Sequence, residues 1–334
     1  MTALNETKKI GLGTAPLGNM FRDIPEEEAR ATIQEAWEQG IRYFDTAPFY
    51  GAGLAELRLG QVLSSYQRDD YVLSTKVGRV ISPDTTEDRK GLFAFGRKNK
   101  IVDDYTAEGT MESIRQSLER LQTDRIDIVY VHDISPDFHG EEWLAKFEEA
   151  RTGAFRVLTR LRKEGVIKSW GIGVNLTEPL ELALALEETK PDIVLQATKY
   201  TLLNHEHALQ RLMPAATKQN VRIVVGAPYN SGVTAGGPHY DYEEAPAEVI
   251  SKLDRMNEIA KRHHVSLKAA ALQFSAAHPA VAAVIPGASR PERIADNLKA
   301  FQTTIPAAFW EELREQKLIA PHAPLPNHPE VVHS

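Results

Sequence analysis

Four side chains of this sequence carry groups that together could move a proton: the Asp45 carboxylate, the Tyr50 phenol, the Lys76 ammonium and the His132 imidazole. Each alone has an ordinary reading. An Asp in Asp45-Thr46-Ala47 is usually a turn or cap residue, and a Tyr in Pro48-Phe49-Tyr50-Gly51 usually packs. A Lys that ends a strand is usually a solvated edge, and a His is usually structural. Their positions set them apart. Asp45, Lys76 and His132 close three successive strand-like runs, and Tyr50 follows Asp45 in a short loop. The 334-residue chain has no cysteine. Disulfides, thiolate nucleophiles, zinc–thiolate sites and iron–sulfur clusters are therefore all excluded.

The elements that must hold these groups alternate along the whole chain. Strand-like runs are expected at Ile10–Thr14, Ile41–Asp45, Tyr71–Lys76, Ile126–Val131, Ile167–Val174, Ile193–Ala197, Val221–Val225 and Val281–Ile285. Helical patterns are expected at 25–39, 54–64, 105–121, 141–163, 178–188, 207–218, 248–262 and 267–277, with another starting near Pro291. Eight strand–helix pairs without a break in composition predict a single (β/α)8 TIM barrel over residues 1–320, its active site at the C-terminal ends of the strands. Near-continuous apolar strands fit a parallel sheet covered on both faces. A doubly wound nucleotide-binding fold is the rival and would want G-x-G-x-x-G after its first strand. Gly11-Leu12-Gly13 instead lies inside the first strand, and position 16 is Pro. Residues 77–104 and 226–245 exceed ordinary loop length. They are expected to form a lid and a clasping wall over the chemical face. The four prolines after Ala320 predict an irregular tail over 321–334.

Lys plus Arg number 39 against 46 Asp plus Glu, a formal net charge of −7 that argues against a nucleic-acid footprint. The acidic Glu26-Glu27-Glu28 reads as the first turn of a helix, where carboxylates suit the helix dipole. The N-terminus lacks the apolar core of a signal peptide, and no apolar run is long enough for a membrane span. A soluble cytoplasmic protein is expected. His205 with His207, and the adjacent His263 and His264, lack a ligand spacing, so no metal is expected.

With these residues in view, the sequence resembles the aldo-keto reductase family. The resemblance rests on Gly11-Leu12-Gly13-Thr14, on Gly40 to Gly51, on Glu56 with Leu59-Gly60, and on Ser74-Thr75-Lys76. It continues through Tyr130-Val131-His132, Gly171 to Asn175, and Ile285-Pro286-Gly287 leading to Asn297. It spans Gly11 to about Ala300. Gly173-Val174-Asn175, Tyr200 to Leu203 and Tyr229 to Gly232 resemble the branch of sugar 1-dehydrogenases and pyridoxal 4-dehydrogenases.

The resemblance implies hydride transfer between a nicotinamide cofactor, NAD(P)(H), and a carbonyl or alcohol carbon of a small molecule. Tyr50 would transfer the proton. Lys76 would lower its pKa by two or three units from a free value near 10, and Asp45 would hold Lys76 charged. His132 would hydrogen-bond the substrate oxygen. Asn175 and Gln196 match the residues that hold the nicotinamide carboxamide. Tyr229, Asn230, Ser231 and Gly232 would wrap the pyrophosphate, with Tyr229 a candidate to stack on the nicotinamide. Thr14 also falls in the cofactor set. Gly287, Ser289, Arg290, Arg293, Asp296 and Asn297 match the adenosine-binding stretch. Gly287 stands where NADPH-specific relatives often carry Lys, which leans the expectation toward NAD, with Arg290 and Arg293 as possible phosphate partners. Candidate specificity groups are Phe49, Val77, Arg79, Asp133 and Tyr240. An aldose is the expected substrate. Pyridoxal, a general aldehyde reductase and a non-catalytic cofactor-binding module are the alternatives.

Overall fold

The computed structural model describes Leu4 and residues 9–326. Eight parallel strands form a nearly closed barrel: β1 Leu12–Gly13, β2 Tyr43–Asp45, β3 Val72–Val77, β4 Ile128–His132, β5 Ser169–Val174, β6 Ile193–Ala197, β7 Arg222–Gly226 and β8 Val281–Ile285. Each pairs with its sequence neighbour. The seam between β8 and β1 is joined through parallel bridges Ile10↔Val284 and Gly13↔Gly287. This is the expected (β/α)8 barrel.

Alternation along the strands makes two cores. Tyr43, Ile128, Tyr130, Ile193, Leu195, Val224 and Ile285 fill the barrel interior. Phe44, Leu73, Val129, Ile172, Val194 and Val225 pack outward under the helices. Buried ion pairs tie the layers. Glu56 of helix Leu54–Leu63 accepts from Arg120 of helix Ala107–Leu121 (2.7 Å) and from Thr75 of β3 (2.6 Å). The acid-rich first turn of helix Glu26–Glu38 follows Pro25, as its composition predicts.

The Gly11-Leu12-Gly13 run serves the seam. A Cβ on Gly13 would sit 2.8 Å from the Ile285 carbonyl oxygen, a backbone atom that cannot swing aside. Gly13→Ala should therefore lose about 1–3 kcal/mol of stability through overpacking, read as a lowered urea midpoint. An unchanged midpoint would show that the seam can open.

Several boundaries differ from the sequence reading. The helix expected at 141–163 divides at Gly153 into Trp143–Thr152 and Ala154–Lys163, where Ala154 N–H turns to the Tyr105 carbonyl. The helix expected at 207–218 divides at Arg211 into Glu206–Gln210 and Leu212–Gln219; Pro214, lacking an N–H, lies in the second piece. Segment 77–104 is no plain loop, since Arg79–Thr85 pairs antiparallel with Asn99–Asp103. Segment 226–245 carries a 3-10 helix, Asn230–Ala235, and a short pairing of His239–Tyr240 with Glu243–Glu244. Helix Ala307–Glu315 closes the described fold. Of the expected tail, 321–326 has no helix or strand, and 327–334, with Pro329, lies outside the described residues. No helix among the described residues is long and apolar enough to cross a membrane.

Candidate active site

Strand register brings the four groups together. Asp45 pairs with Ser74 across β2 and β3, Lys76 with Tyr130 across β3 and β4, and His132 with Gly173 across β4 and β5. The Lys76 ammonium spends its three hydrogens on Asp45 Oδ2 (2.7 Å), the Thr46 carbonyl (2.9 Å) and Tyr50 Oη (3.1 Å). Tyr50 Oη is thus an acceptor from Lys76, and its own hydrogen is left for another partner. The second Asp45 oxygen accepts from Ser74 Oγ (2.7 Å), which in turn lies 3.1 Å from Tyr43 Oη inside the barrel. Thr14 lies outside the cavity and fixes the end of β2: its N–H and hydroxyl both donate to the Asp45 carbonyl, each at 2.9 Å.

The phenol does not behave as the sequence suggested. Burial pushes Tyr50 well above its usual value, and the Asp45 and Asp133 charges push it further, against a smaller pull from Arg79. The expected lowering by Lys76 does not appear: burial is the largest influence on the phenol, and the Asp45 carboxylate that holds the ammonium pushes it the same way. Burial also raises Asp45, against the pull of Lys76.

His132 is buried and held neutral, its pKa pushed well below the usual range by desolvation and by the Arg79 and Lys76 charges. Arg79 NH1 donates one hydrogen to Asp133 Oδ2 (2.6 Å) and lies 3.1 Å from His132 Nδ1. A guanidinium only donates, so Nδ1 is the acceptor and the ring hydrogen belongs on Nε2. The Arg79 head lies 4.2 Å from the ring centre of Phe49 and 5.1 Å from that of Phe138.

Tyr50, Lys76, His132 and Asp133 border a cavity of about 610 Å³, while Asp45 and the candidate wall residue Arg79 are off its lining. Phe49, Phe93 and Phe138 line one part of it, and Asp133, Asp137, Asn175 and Tyr242 give it polar groups. Val77 does not reach it: its side chain packs outward under the helices. Tyr240 also stands off the lining, and its neighbour Tyr242 lies there instead. Phe93, Phe138, Asp137 and Tyr242 were not singled out from sequence. Phe93 and Tyr242 belong to the two long segments whose length was the available signal.

The cofactor candidates fall into three groups. Gln196 is fully buried with neither amide atom hydrogen-bonded, and Asn175 lines the cavity with its Nδ2 on Asp137 Oδ2 (2.8 Å). An orphaned buried amide at a strand end suits a carboxamide partner. Tyr229 points away from the cavity, its hydroxyl donating to Asn297 Oδ1 (3.0 Å). Asn230 acts as a strut, donating from Nδ2 to the Thr198 carbonyl (3.0 Å) and Asp241 Oδ1 (2.9 Å). Ser231 Oγ accepts from Tyr242 N–H (2.9 Å). Gly232 lies in the left-handed region within the same turn. Gly287 borders β1, and a Cβ there would meet Pro16 Cγ at 2.8 Å. Beyond it, the Ser289 carbonyl accepts from Arg22 (3.0 Å), and Arg290, Arg293 and Asp296 are exposed around the start of helix Glu292–Gln302. Among the described residues, no cluster of His, Asp or Glu could hold a metal ion.

The barrel mouth thus sets Asp45, Tyr50, Lys76 and His132 side by side, the arrangement expected of an aldo-keto reductase. The Aldo/keto reductase family model matches residues 9–317, and the chain belongs to that family. It is 38% identical to the pyridoxal 4-dehydrogenase of Microbacterium luteolum, covering 93% of this chain and 94% of that one. It is also 38% identical to the D-threo-aldose 1-dehydrogenase of a Pseudomonas species, with the same coverages. The solved holo form of aldo-keto reductase AKR11C1 from Bacillus halodurans superposes with a TM-score of 0.73 at 26% identity, over 94% of this chain and 93% of that one. Family members bind NAD(P)H and act on small molecules.

Proposed function

We propose that this chain is an NAD(P)-dependent dehydrogenase of aldoses that acts at the C1 carbon. The observation that carries this reading is the lining of the cavity. Phe49 and Phe93 pack edge-on or tilted around His132 and Tyr50, while Asp133 stands beside His132. A sugar ring offers apolar C–H faces and hydroxyl edges, and such a mixed lining suits both. The equal likeness to an aldose 1-dehydrogenase and a pyridoxal 4-dehydrogenase supports the branch. Three phenylalanines also suit a flat pyridine ring, so oxidation of pyridoxal is the second reading.

NAD(P) supplies or takes the hydride when bound; Gln196 and Asn175 would hold its carboxamide, with the stretch from Gly287 to Asn297 at the adenosine end. The chain's own residues manage the oxygen and its proton. His132 Nε2–H donates to the substrate oxygen. Tyr50, with its hydrogen free, gives a proton to that oxygen during carbonyl reduction and must take one during alcohol oxidation. A preference for NAD belongs to the same reading, because Gly287 stands where NADPH-specific relatives often carry a lysine for the 2′-phosphate. Location in the cytoplasm is also part of it.

A panel of aldoses, pyridoxal and simple aldehydes, run with both cofactors and followed by NAD(P)H absorbance, tests these points. Oxidation of an aldose with a higher kcat/KM than pyridoxal is expected. Turnover of simple aldehydes alone would defeat the reading. A preference for NADP above about a hundredfold, about 2.7 kcal/mol, would remove the lean to NAD.

A further inference from the structure

Asp133 forms a buried ion pair with Arg79, the donor to His132 Nδ1, and the proton-handling set assigns no task to its carboxylate. Burying such a pair roughly breaks even in stability at best, so the fold does not need it for strength. The pair is nevertheless built with care. Asp133 takes a left-handed backbone conformation, φ 53°, directly after β4, and its N–H donates to the Gly173 carbonyl (3.0 Å). Arg79 holds Asp133 Oδ2 at 2.6 Å, is itself held by Asp103 (3.2 Å), and lies against the rings of Phe49 and Phe138. Asp133 lines the cavity, and among the described residues its Oδ1 accepts no hydrogen bond. His132 Nε2, the donor to the substrate oxygen, lies 3.4 Å from Asp133 Oδ2.

An oxygen held by Nε2 at an ordinary hydrogen-bond length of about 2.9 Å is therefore in the carboxylate's neighbourhood, since Asp133 Oδ2 is only 3.4 Å from the same nitrogen. Neighbouring oxygens on adjacent carbons are spaced on that scale. We propose that the Asp133 carboxylate, anchored by Arg79, accepts a hydrogen bond from a hydroxyl on the carbon next to the reacting one. The site then selects 2-hydroxy aldehydes and the cyclic hemiacetals that sugars form from them. Asp133 is a specificity residue and Arg79 its positioning residue. The inference rests on the reading of Tyr50 and His132 as the groups around the reacting oxygen, and it narrows the aldose proposal to the 2-hydroxyl.

The test compares kcat/KM for reduction of 2-hydroxypropanal and propanal, and for oxidation of an aldose and its 2-deoxy counterpart, with the same cofactor. A hydrogen bond to a charged acceptor predicts a preference of about 10- to 150-fold for the hydroxylated partner. Asp133→Asn should shrink that ratio to within about threefold, whatever it does to absolute rates. Wild-type protein offers a second readout that does not depend on a variant folding. Arg79, Lys76, His132 and Asp137 face the Asp133 carboxyl, with the phenols of Tyr50, Tyr105 and Tyr242 beside it; burial outweighs Arg79 and puts the carboxyl up at about 6. The ratio should therefore fall as pH drops through about 6, where the charged acceptor is lost. A wild-type ratio near one, an Asp133→Asn ratio equal to wild type, or a ratio flat across that pH range would each overturn the proposal. If 2-hydroxypropanal is preferred while no aldose is oxidised, the aldose reading fails and the hydroxyl-reading role of Asp133 stands.

Discussion

Tyr50→Phe should lower the rate of carbonyl reduction by about 10²- to 10⁴-fold, the usual worth of a positioned proton donor, while cofactor affinity measured by fluorescence titration stays within about twofold. The phenol lines the cavity with its hydrogen to spare, since it accepts from Lys76 and no side chain accepts from it among the described residues. Removing the hydroxyl deletes that hydrogen and leaves the ring packed beside Phe93 and His132. The raised pKa of Tyr50 adds a direction. In reduction the acid form persists through neutral and mildly alkaline pH, so kcat should stay level there. In oxidation the phenol must first lose its proton, so the rate should climb across about pH 7 to 9, approaching tenfold per unit. Residual turnover of Tyr50→Phe near the wild-type level would mean that another group handles the proton, and a non-catalytic cofactor-binding module would show no turnover in either form.

Lys76→Met should cost stability as well as activity, by about 3–5 kcal/mol, the scale for stripping one partner from a buried pair. Both side chains are almost completely enclosed. Without the ammonium, Asp45 keeps only Ser74 as a side-chain donor, and the Thr46 carbonyl loses its partner. Burial already raises the Asp45 pKa, and removing Lys76 raises it further above its unfolded value. The folded variant then binds a proton more tightly than the unfolded chain, so its stability should improve as pH falls and worsen as pH rises. Pairing it with Asp45→Asn should restore more than half of the loss. Urea midpoints at acidic and alkaline pH decide the matter. A deficit below about 1 kcal/mol with no pH trend would show that the fold does not depend on the pair.

The sequence made the barrel legible because eight apolar runs recur between helical patterns, and strand ends are where a barrel brings distant residues together. Asp45, Lys76 and His132 could be found that way, since each polar residue interrupts an apolar run at the same end. Phe138 and Asp137 could not, because their place at the cavity depends on how segments leaving the strands fold back, and for Tyr242 only the length of its segment gave a signal. Val77 and Tyr240 show the same limit in reverse: proximity in sequence to Lys76 and to the second long segment did not reveal which way each side chain turns. The direction of the Tyr50 pKa is hidden for a related reason: the sequence shows Asp45, Lys76 and Tyr50 as partners but not how completely the fold buries the phenol.

The groups proposed to handle the proton hang from the barrel or the short loop after β2, with Lys76 joining Asp45 to Tyr50 and Ser74 and Thr46 anchoring them. Much of the cavity wall stands on segments that leave the barrel. The two sets meet at the hydrogen bond from Arg79 to His132 Nδ1. This division of labour makes the mouth replaceable. Rewriting residues 80–103 should re-aim the proposed enzyme at a different molecule, provided Arg79 stays to pull on the Tyr50 phenol and to donate to that nitrogen.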